Sequence, residues 1–570
     1  MATLVDAYFA NDLRVAVREC NCRGLTKGAQ WASELLITIP ERKRTQRVPD
    51  MTVEKMYPDA GYLPGVAPSA PIVQSKHWKR DLDLAAQAAA ELIDQDRIAL
   101  GRAALNRKDY GQTFGILHDA KSLKAQFMVG YALYLSGMGA LERKHRIAKF
   151  DMIRFTLVER LGDAAYTDPF LMYLYGLVHA ALDLRAEAIE FAIKSIVGFP
   201  YNWCAWELLA DCIRDVEELY SISYLLPLSR DHVLRELFHI KKVTELQAGG
   251  ERELSMTMKL LGPGFFPNNP WLYSLRGSIL YYMHDLPASQ IEFEHMLNRD
   301  PWRVDSIDIY SFALHVTQSD RKLSRLSREY LLLAKDRPEV CCLVANFFSL
   351  QGRSDLATIY FKRAADLEPK YISAWTLMGH ELIEQKNSHA AIHTYRRAIE
   401  IQRDDFRAWY GLGQAYELLN MHQLALYYYE RAVSLSAYDL RMWLALGSCY
   451  EELGRFREAL DCYRRALIPA NPHDDFVLLK IAKVHAELGE DGDAAAYHRR
   501  VVEISQANGR EVPAYAKSAI EVANYQMVTP NGDKELAKEL LTAVSSSNAE
   551  DVEVATNLLK KLQLTAGSAS

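Results

Sequence analysis

The sequence predicts an all-α fold, a right-handed superhelix of antiparallel helix pairs, and three observations predict it. Trp375, Trp409 and Trp443 are spaced by 34 and 34 residues in a chain of 570 that holds nine Trp. Gly379, Gly413 and Gly447 each follow their Trp by four residues, and Tyr395, Tyr429 and Tyr463 by twenty. The register also runs backwards without a gap into 338–371, where Ala345, Ala357, Phe361, Ala364 and Pro369 keep the pattern. This is the tetratricopeptide (TPR) period, and a TPR solenoid of about twelve to fourteen repeats would use the whole length. One helix pair cannot bury its apolar face alone; stacking does it. Small residues such as Gly379 and Ala391 let the two helices of a pair approach, while Trp375 and Tyr395 fill the space between repeats.

Each part of the chain has its own warrant. Residues 1–39 read as an N-terminal, TPR-like helix pair. The stretch 40–77 holds Pro40, Pro49, Pro58, Pro64, Pro68 and Pro71, which suits a linker or a segment lying extended on a surface. It opens with the basic run ERKRTQR, Glu41–Arg47, a solvated charge run or a nuclear-import signal. Residues 78–269 hold N-terminal and middle repeats, clear from 169 (Gly176, Ala188, Pro200) and weaker elsewhere. The turn-rich LGPGFFPN, Leu261–Asn268, ends them. The C-terminal array spans 270–508; within it 304–337 keeps the length but puts Leu323 and Ser327 where a small residue and an aromatic belong. A final helix pair over 509–545 and a C-terminal helix with a flexible tail over 546–570 complete the reading.

Composition excludes several functions. Lys+Arg 67 against Asp+Glu 73 gives a net charge of −6, which argues against nucleic acid as a partner. No apolar run is long enough to span a membrane, and the start MATLVDAYFANDLR lacks the basic region of a secretory signal. The eight Cys are too sparse for a disulfide framework and lack zinc-site spacing, so they read as thiols in a reducing compartment. There is no phosphate-binding glycine loop and no nucleophile elbow; His380–Glu381 fails as HExxH, and His389 with His393 is a surface pair. The expectation is no catalytic residue, no cofactor and no metal.

A solenoid does offer a groove. In a TPR, helix A lines it, chiefly at repeat positions 2, 5, 9 and 12. Those positions and their neighbours give Asp305, Asp308, Glu339, Asn346, Ser373, Thr376, His380, Glu381 and Glu384, then Arg407, Tyr410, Gln414, Glu417, Arg441 and Glu451. The first part is acidic and suits an extended peptide carrying Arg or Lys. The Asn346 amide offers a donor and an acceptor to a peptide backbone.

Six strings carry a resemblance: AWTLMGHE (Ala374–Glu381), RAWYGLGQA (Arg407–Ala415), LYYYE (Leu426–Glu430), DLRVAVRECNCRGL (Asp12–Leu25), AQWASEL (Ala29–Leu35) and YALYL (Tyr131–Leu135). The chain resembles the TPR scaffold subunits of the anaphase-promoting complex (cyclosome), in particular subunit eight, the cell-division-cycle twenty-three type. That resemblance implies a non-catalytic scaffold of a nuclear and cytoplasmic ubiquitin ligase, with catalysis left to cullin-like and RING subunits. It implies a homodimer joined through the N-terminal half, roughly residues 1–200, stacked on sister TPR subunits. It also implies that the C-terminal groove receives the Arg-containing C box of a WD40 co-activator, with Asn346, Glu381 and Tyr410 the leading contacts. Another TPR subunit of the same complex, or a peptide-binding adaptor or co-chaperone, is the alternative.

Overall fold

A computed structural model describes residues 5–45, 73–139, 168–226, 228–229, 231–470, 475–529, 532–547 and 551–567, with Ala148, Phe150, Asp151 and Ile153. Every regular element among them is helical, as the 34-residue period requires. Two compact units divide the chain, Met1–Thr317 and Gln318–Ser570.

The first unit opens with the pair Ala7–Cys22 and Thr26–Thr38. Asp6 caps the first helix by accepting from Phe9 N at 2.9 Å, and Gly24 turns the chain at φ 77°, where a side chain would be strained. The apolar face of this pair meets residues far along the chain. Trp31 stacks on Trp203 with ring centroids 4.0 Å apart, and Trp271 stands edge-on to it at 6.3 Å. Phe9 packs against Tyr201 and Phe266. Polar groups frame these contacts: Arg303 Nη1 lies 2.6 Å from Glu34, Asn269 donates to the Thr38 hydroxyl at 3.1 Å, and the Arg23 guanidinium sits 3.9 Å over the Phe170 ring. The helix pair read from the sequence is present, but it is clasped by later helices, with one bond reaching 269 residues ahead.

Helix occupies both described ends of the stretch 40–77 that the prolines suggested was a linker. Glu41–Arg44 makes one helical turn, anchored where Lys43 Nζ donates to the carbonyls of Val5 and Gly264, both at 2.9 Å. A 34-residue helix, Val73–Asn106, begins before residue 78, and Ala-rich sequence from Ala85 to Ala104 favours it. Residues 46–72, which hold the rest of the basic run and five of the prolines, lie outside the described residues. Helix pairs follow at Pro169–Ala181 with Arg185–Gly198, Val233–Glu245 with Glu251–Leu260, and Pro270–Tyr282 with Leu286–Arg299, with Trp203–Cys212 and Val216–Leu225 between the first two; Leu261–Asn268 is the expected turn.

The second unit carries the regular array, from Pro338–Leu350 with Ser354–Leu367 to Phe476–Glu487 with Asp491–Ala507. Its packing explains the Gly and Tyr repeat. Tyr395, Tyr429 and Tyr463 are at most 1% exposed, and each ring packs closely against the helix-A glycine of its own pair. A Cβ on Gly379 would stand 2.5 Å from Tyr395, and one on Gly411, in the next repeat, 2.3 Å from the same ring. Tyr395 therefore meshes two repeats, as the sequence suggests. The tryptophans do something else: Trp375 and Trp409 are half-buried, and Nε1 of Trp375, Trp409 and Trp443 donates to the carbonyl six residues earlier, at 3.1, 2.7 and 2.7 Å. They staple each incoming connection to the helix it starts. Trp206 does the same to Pro200 at 2.8 Å, which marks a repeat at 203 that was only faintly legible. Replacing Gly413 with Val is expected to cost about 1–3 kcal/mol by overpacking Tyr429, seen as a lower urea midpoint at unchanged m-value.

The irregular stretch 304–337 is helical too, Ile307–Val316 in the first unit and Asp320–Ala334 in the second. Leu323 and Ser327 are buried where the pattern wants a small residue and an aromatic, and the aromatic moves one turn on, to Tyr330 at 1% exposure. The turn between successive helices is left-handed at His284, Gln318, Gly352, Lys386, Asn420 and Gly454, a run of 34-residue steps. The final pair is Ala516–Val528 with Lys534–Ser545, followed by Val552–Gly567, so the terminal helix extends into the expected tail. Residues 568–570 lie outside the described residues.

Candidate functional site

Helix A of three successive repeats, Pro338–Leu350, Ile372–Glu384 and Phe406–Leu418, carries the candidate residues of the second unit. Asp405, 5% exposed, organises the middle of the set. As N-cap of Phe406–Leu418 its Oδ1 accepts from Arg407 N and Nε at 3.2 and 2.9 Å, and its Oδ2 accepts from the Thr376 hydroxyl at 3.3 Å. Asp439 holds Arg441 in the same way at the next helix start. Sequence reasoning missed Asp405, yet the repeated Asp-x-Arg at two helix starts was a readable capping signal.

His380 shares a 2.8 Å hydrogen bond between its Nδ1 and the Tyr395 hydroxyl. Burial, helped by Arg407 and Arg441 and opposed by Asp405, pushes the imidazole down from 6.5 to about 4. Burial pushes the Tyr395 phenol up, so a neutral phenol and a neutral imidazole share this bond. Between pH 6.5 and about 4 the unfolded chain binds a proton here that the folded chain refuses, so stability falls as pH drops through that window. The share of this residue between pH 7 and pH 5 is expected to be about 2 kcal/mol, and His380→Gln to flatten that part of the pH dependence in urea titrations.

Tyr410 accepts from Gln414 Nε2 at 3.2 Å and packs on Tyr429 at 5.6 Å. Asn346 is 3% exposed. Glu381 is 6% exposed: its carboxyl accepts from Ser349 and Ser354, yet burial, reinforced by Glu384, still raises its pKa above the usual carboxylate range. Its Oε2 is buried with no hydrogen-bond partner among the described residues.

The acidic residues do not form one open cluster. Asp305 and Asp308 belong to the first unit, where Asp305 lies 3.4 Å from Arg303. Glu339 is held by Arg337 at 3.2 and 3.3 Å, Glu381 is tucked beneath the surface, and Glu384 is exposed. Glu417 accepts from Tyr429; Glu451 accepts from Tyr463 at 3.0 Å and pairs with Lys483, which helps hold its carboxyl below the usual range. Charge type and helix face are legible in sequence, whereas the partner on the adjoining helix is not. Seven of the eight Cys are buried and all are free thiols. His389 and His393 are both exposed. His485, Glu490 and Asp493 gather within 4.8 Å, where His485 Nδ1 is engaged with Glu490 at 2.7 Å. No described helix is long and apolar enough to cross a membrane.

The family model described as anaphase promoting complex subunit 8 / Cdc23 matches residues 9–146 and 150–277, and tetratricopeptide models match 376–440 and 441–468. The chain is 31% identical over 399 residues to the Arabidopsis thaliana anaphase-promoting complex subunit 8, covering 67% of this chain and 66% of that one. It is 34% identical over 318 residues to the human cell division cycle protein 23 homolog, covering 54% and 46%. These alignments thus span under two thirds of each relative's own length. Among solved structures, an APC/C hetero-tetramer, Cut9-Hcn1, matches with a TM-score of 0.55 at 15% identity over 86% of this chain and 95% of that one, a likeness of fold.

Proposed function

Because the chain belongs to the anaphase-promoting complex subunit 8 / Cdc23 family, we propose that it is a non-catalytic scaffold of that ubiquitin ligase, working in nucleus and cytoplasm. Two copies pair through an isologous patch in roughly residues 1–200, and the dimer stacks on sister TPR subunits. The helix-A surface of residues 338–418 receives the C-box Arg of a WD40 co-activator, and the ligase then acts on mitotic regulators through its catalytic subunits. Glu339, Asn346, Thr376, His380, Glu381, Glu384, Tyr410 and Gln414, all in the second unit, form the contact set.

The observation that carries the peptide reading is Glu381. A buried carboxylate oxygen without a partner is costly, and a guanidinium supplies the missing donors together with the opposite charge. An adaptor for acidic tails would instead need inward cations to spare, and Arg407 and Arg441 are paired with Asp405 and Asp439.

Binding of a fluorescent C-box peptide to the full chain tests this. Glu381→Gln and Asn346→Ala are each expected to weaken binding at least tenfold, ~1.4 kcal/mol, with the wild-type affinity falling as salt rises. Relief of the buried charge leaves Glu381→Gln at least as heat-stable as the wild type, so a binding loss cannot be ascribed to unfolding. Binding indifferent to both substitutions would move the site elsewhere, and absence of binding would end the receptor assignment.

A further inference from the structure

One repeat of the second unit is unlike its neighbours on the outside. Leu418 ends the helix Phe406–Leu418, Met421 lies in the turn, and Leu424 and Tyr427 face outward from His422–Leu435. They are 52, 50, 47 and 60% exposed. At the same four positions the preceding repeat has Glu384, Asn387, Ala390 and His393, and the following one Glu452, Arg455, Glu458 and Asp461. The period alone therefore does not ask for apolar residues there. Burial against the described residues does not reward them either, so there the four are an unrecovered cost.

The patch is also firmly backed. Tyr427 meets Tyr428 edge-on at 5.3 Å, Tyr428 stacks on Tyr416 at 5.2 Å with an interplanar angle of 2°, and Arg396 Nη2 donates to the Tyr416 hydroxyl at 2.7 Å. A stiff surface loses little freedom when something docks on it. Leu, Met and Tyr offer a flexible aliphatic floor beside an aromatic anchor. At the aligned positions the following repeat carries Glu452 and Asp461, with Arg455 and Glu458 paired at 2.8 Å between them, and the preceding repeat carries the exposed Glu384, Asn387, the small Ala390 and the exposed His393.

We infer that Leu418, Met421, Leu424 and Tyr427 are the docking surface for an amphipathic helix of another protein, one whose apolar stripe carries Lys or Arg along a single edge. Anchors at i, i+3 or i+4, and i+7 fit the run of patch residues, and the basic edge faces Glu452 and Asp461. None of the four is in the peptide-contact set, so this surface and the groove stand or fall separately.

The test places the photo-crosslinking residue benzoylphenylalanine at position 427 of the full-length tagged chain, purified with its native partners, and maps the adducts by mass spectrometry. Adducts are expected on a helical segment of a different protein with the stated stripe and basic edge. They should fall at least fivefold when Glu452→Lys and Asp461→Lys are added. Adducts on a second copy of this chain, on an extended or acidic segment, or no more adduct than a reporter at position 393 gives, would overturn the inference, as would indifference to the charge reversal. All these positions are on the surface, so the variants keep the fold; an unchanged melting temperature verifies it.

Discussion

Trp31→Ala is expected to destabilise the first unit by about 3–5 kcal/mol, the range for truncating a large buried aromatic. Three indoles pack together here, Trp31 on Trp203 at 4.0 Å, Trp271 edge-on to Trp31 at 6.3 Å and to Trp203 at 5.7 Å, and Trp31 itself is 8% exposed. Removing one corner of this triangle of indoles leaves a cavity between segments far apart in the sequence. Hydrogen exchange locates the effect: amides of Ala7–Thr38 lose protection, while those of Ile372–Ala466 in the other unit keep theirs. Trp31→Phe separates packing from hydrogen bonding. The indole N–H of Trp31 has no acceptor among the described residues, so Phe forfeits some area but removes an orphan donor, and its cost should stay near 1 kcal/mol. A Phe variant as damaging as Ala would refute the packing account.

Arg303→Met is expected to cost about 3 kcal/mol, the lower end for breaking a buried ion pair, because the Glu34 side chain keeps 24% of its surface in contact with solvent. Burial already raises the pKa of Glu34 against the pull of Arg303, so without the guanidinium the carboxylate is left with desolvation and the repulsion of Asp305 and Asp300. The second substitution, Glu34→Gln in the Arg303→Met background, should recover most of the loss, since replacing both partners removes the stranded charge. A double-mutant cycle in urea reads the coupling directly. Additive costs would show that the pair acts independently and that the clasp is apolar alone.

Both predictions fall where the sequence was least informative. The 34-residue array declared itself because its contacts are between neighbours: Tyr395 needs Gly379 sixteen residues before it and Gly411 sixteen after it, and the first pair repeats in register at Gly413–Tyr429 and Gly447–Tyr463. Trp31 and Glu34 sit in an equally clear helix, but their partners are Trp203 and Arg303, and nothing local says which distant residue a Trp will stack on. The groove was half legible for the same reason. Position on helix A picked out Thr376, His380 and Tyr410, while the Ser349 and Ser354 hydroxyls that engage Glu381, and the Tyr395 hydroxyl that fixes His380, lie on other helices. The outward patch was visible only as a mismatch between aligned repeats, and its exposure came from the structure.

The left-handed turns at His284, Gln318, Gly352, Lys386, Asn420 and Gly454 give the repeat a second record, written in backbone handedness rather than in side chains. Only two of the six are glycine, so residue identity at the turn has drifted while the conformation has stayed in step. Such a record outlasts the first: 304–337 has lost its signature residues and still delivers the next helix at the right phase. What the array should resist is a change of count. Substitutions leave the phase intact, whereas a single insertion rotates everything after it, and the regular run absorbs one such step only between Gly454 and Gly489, after its last matched Trp.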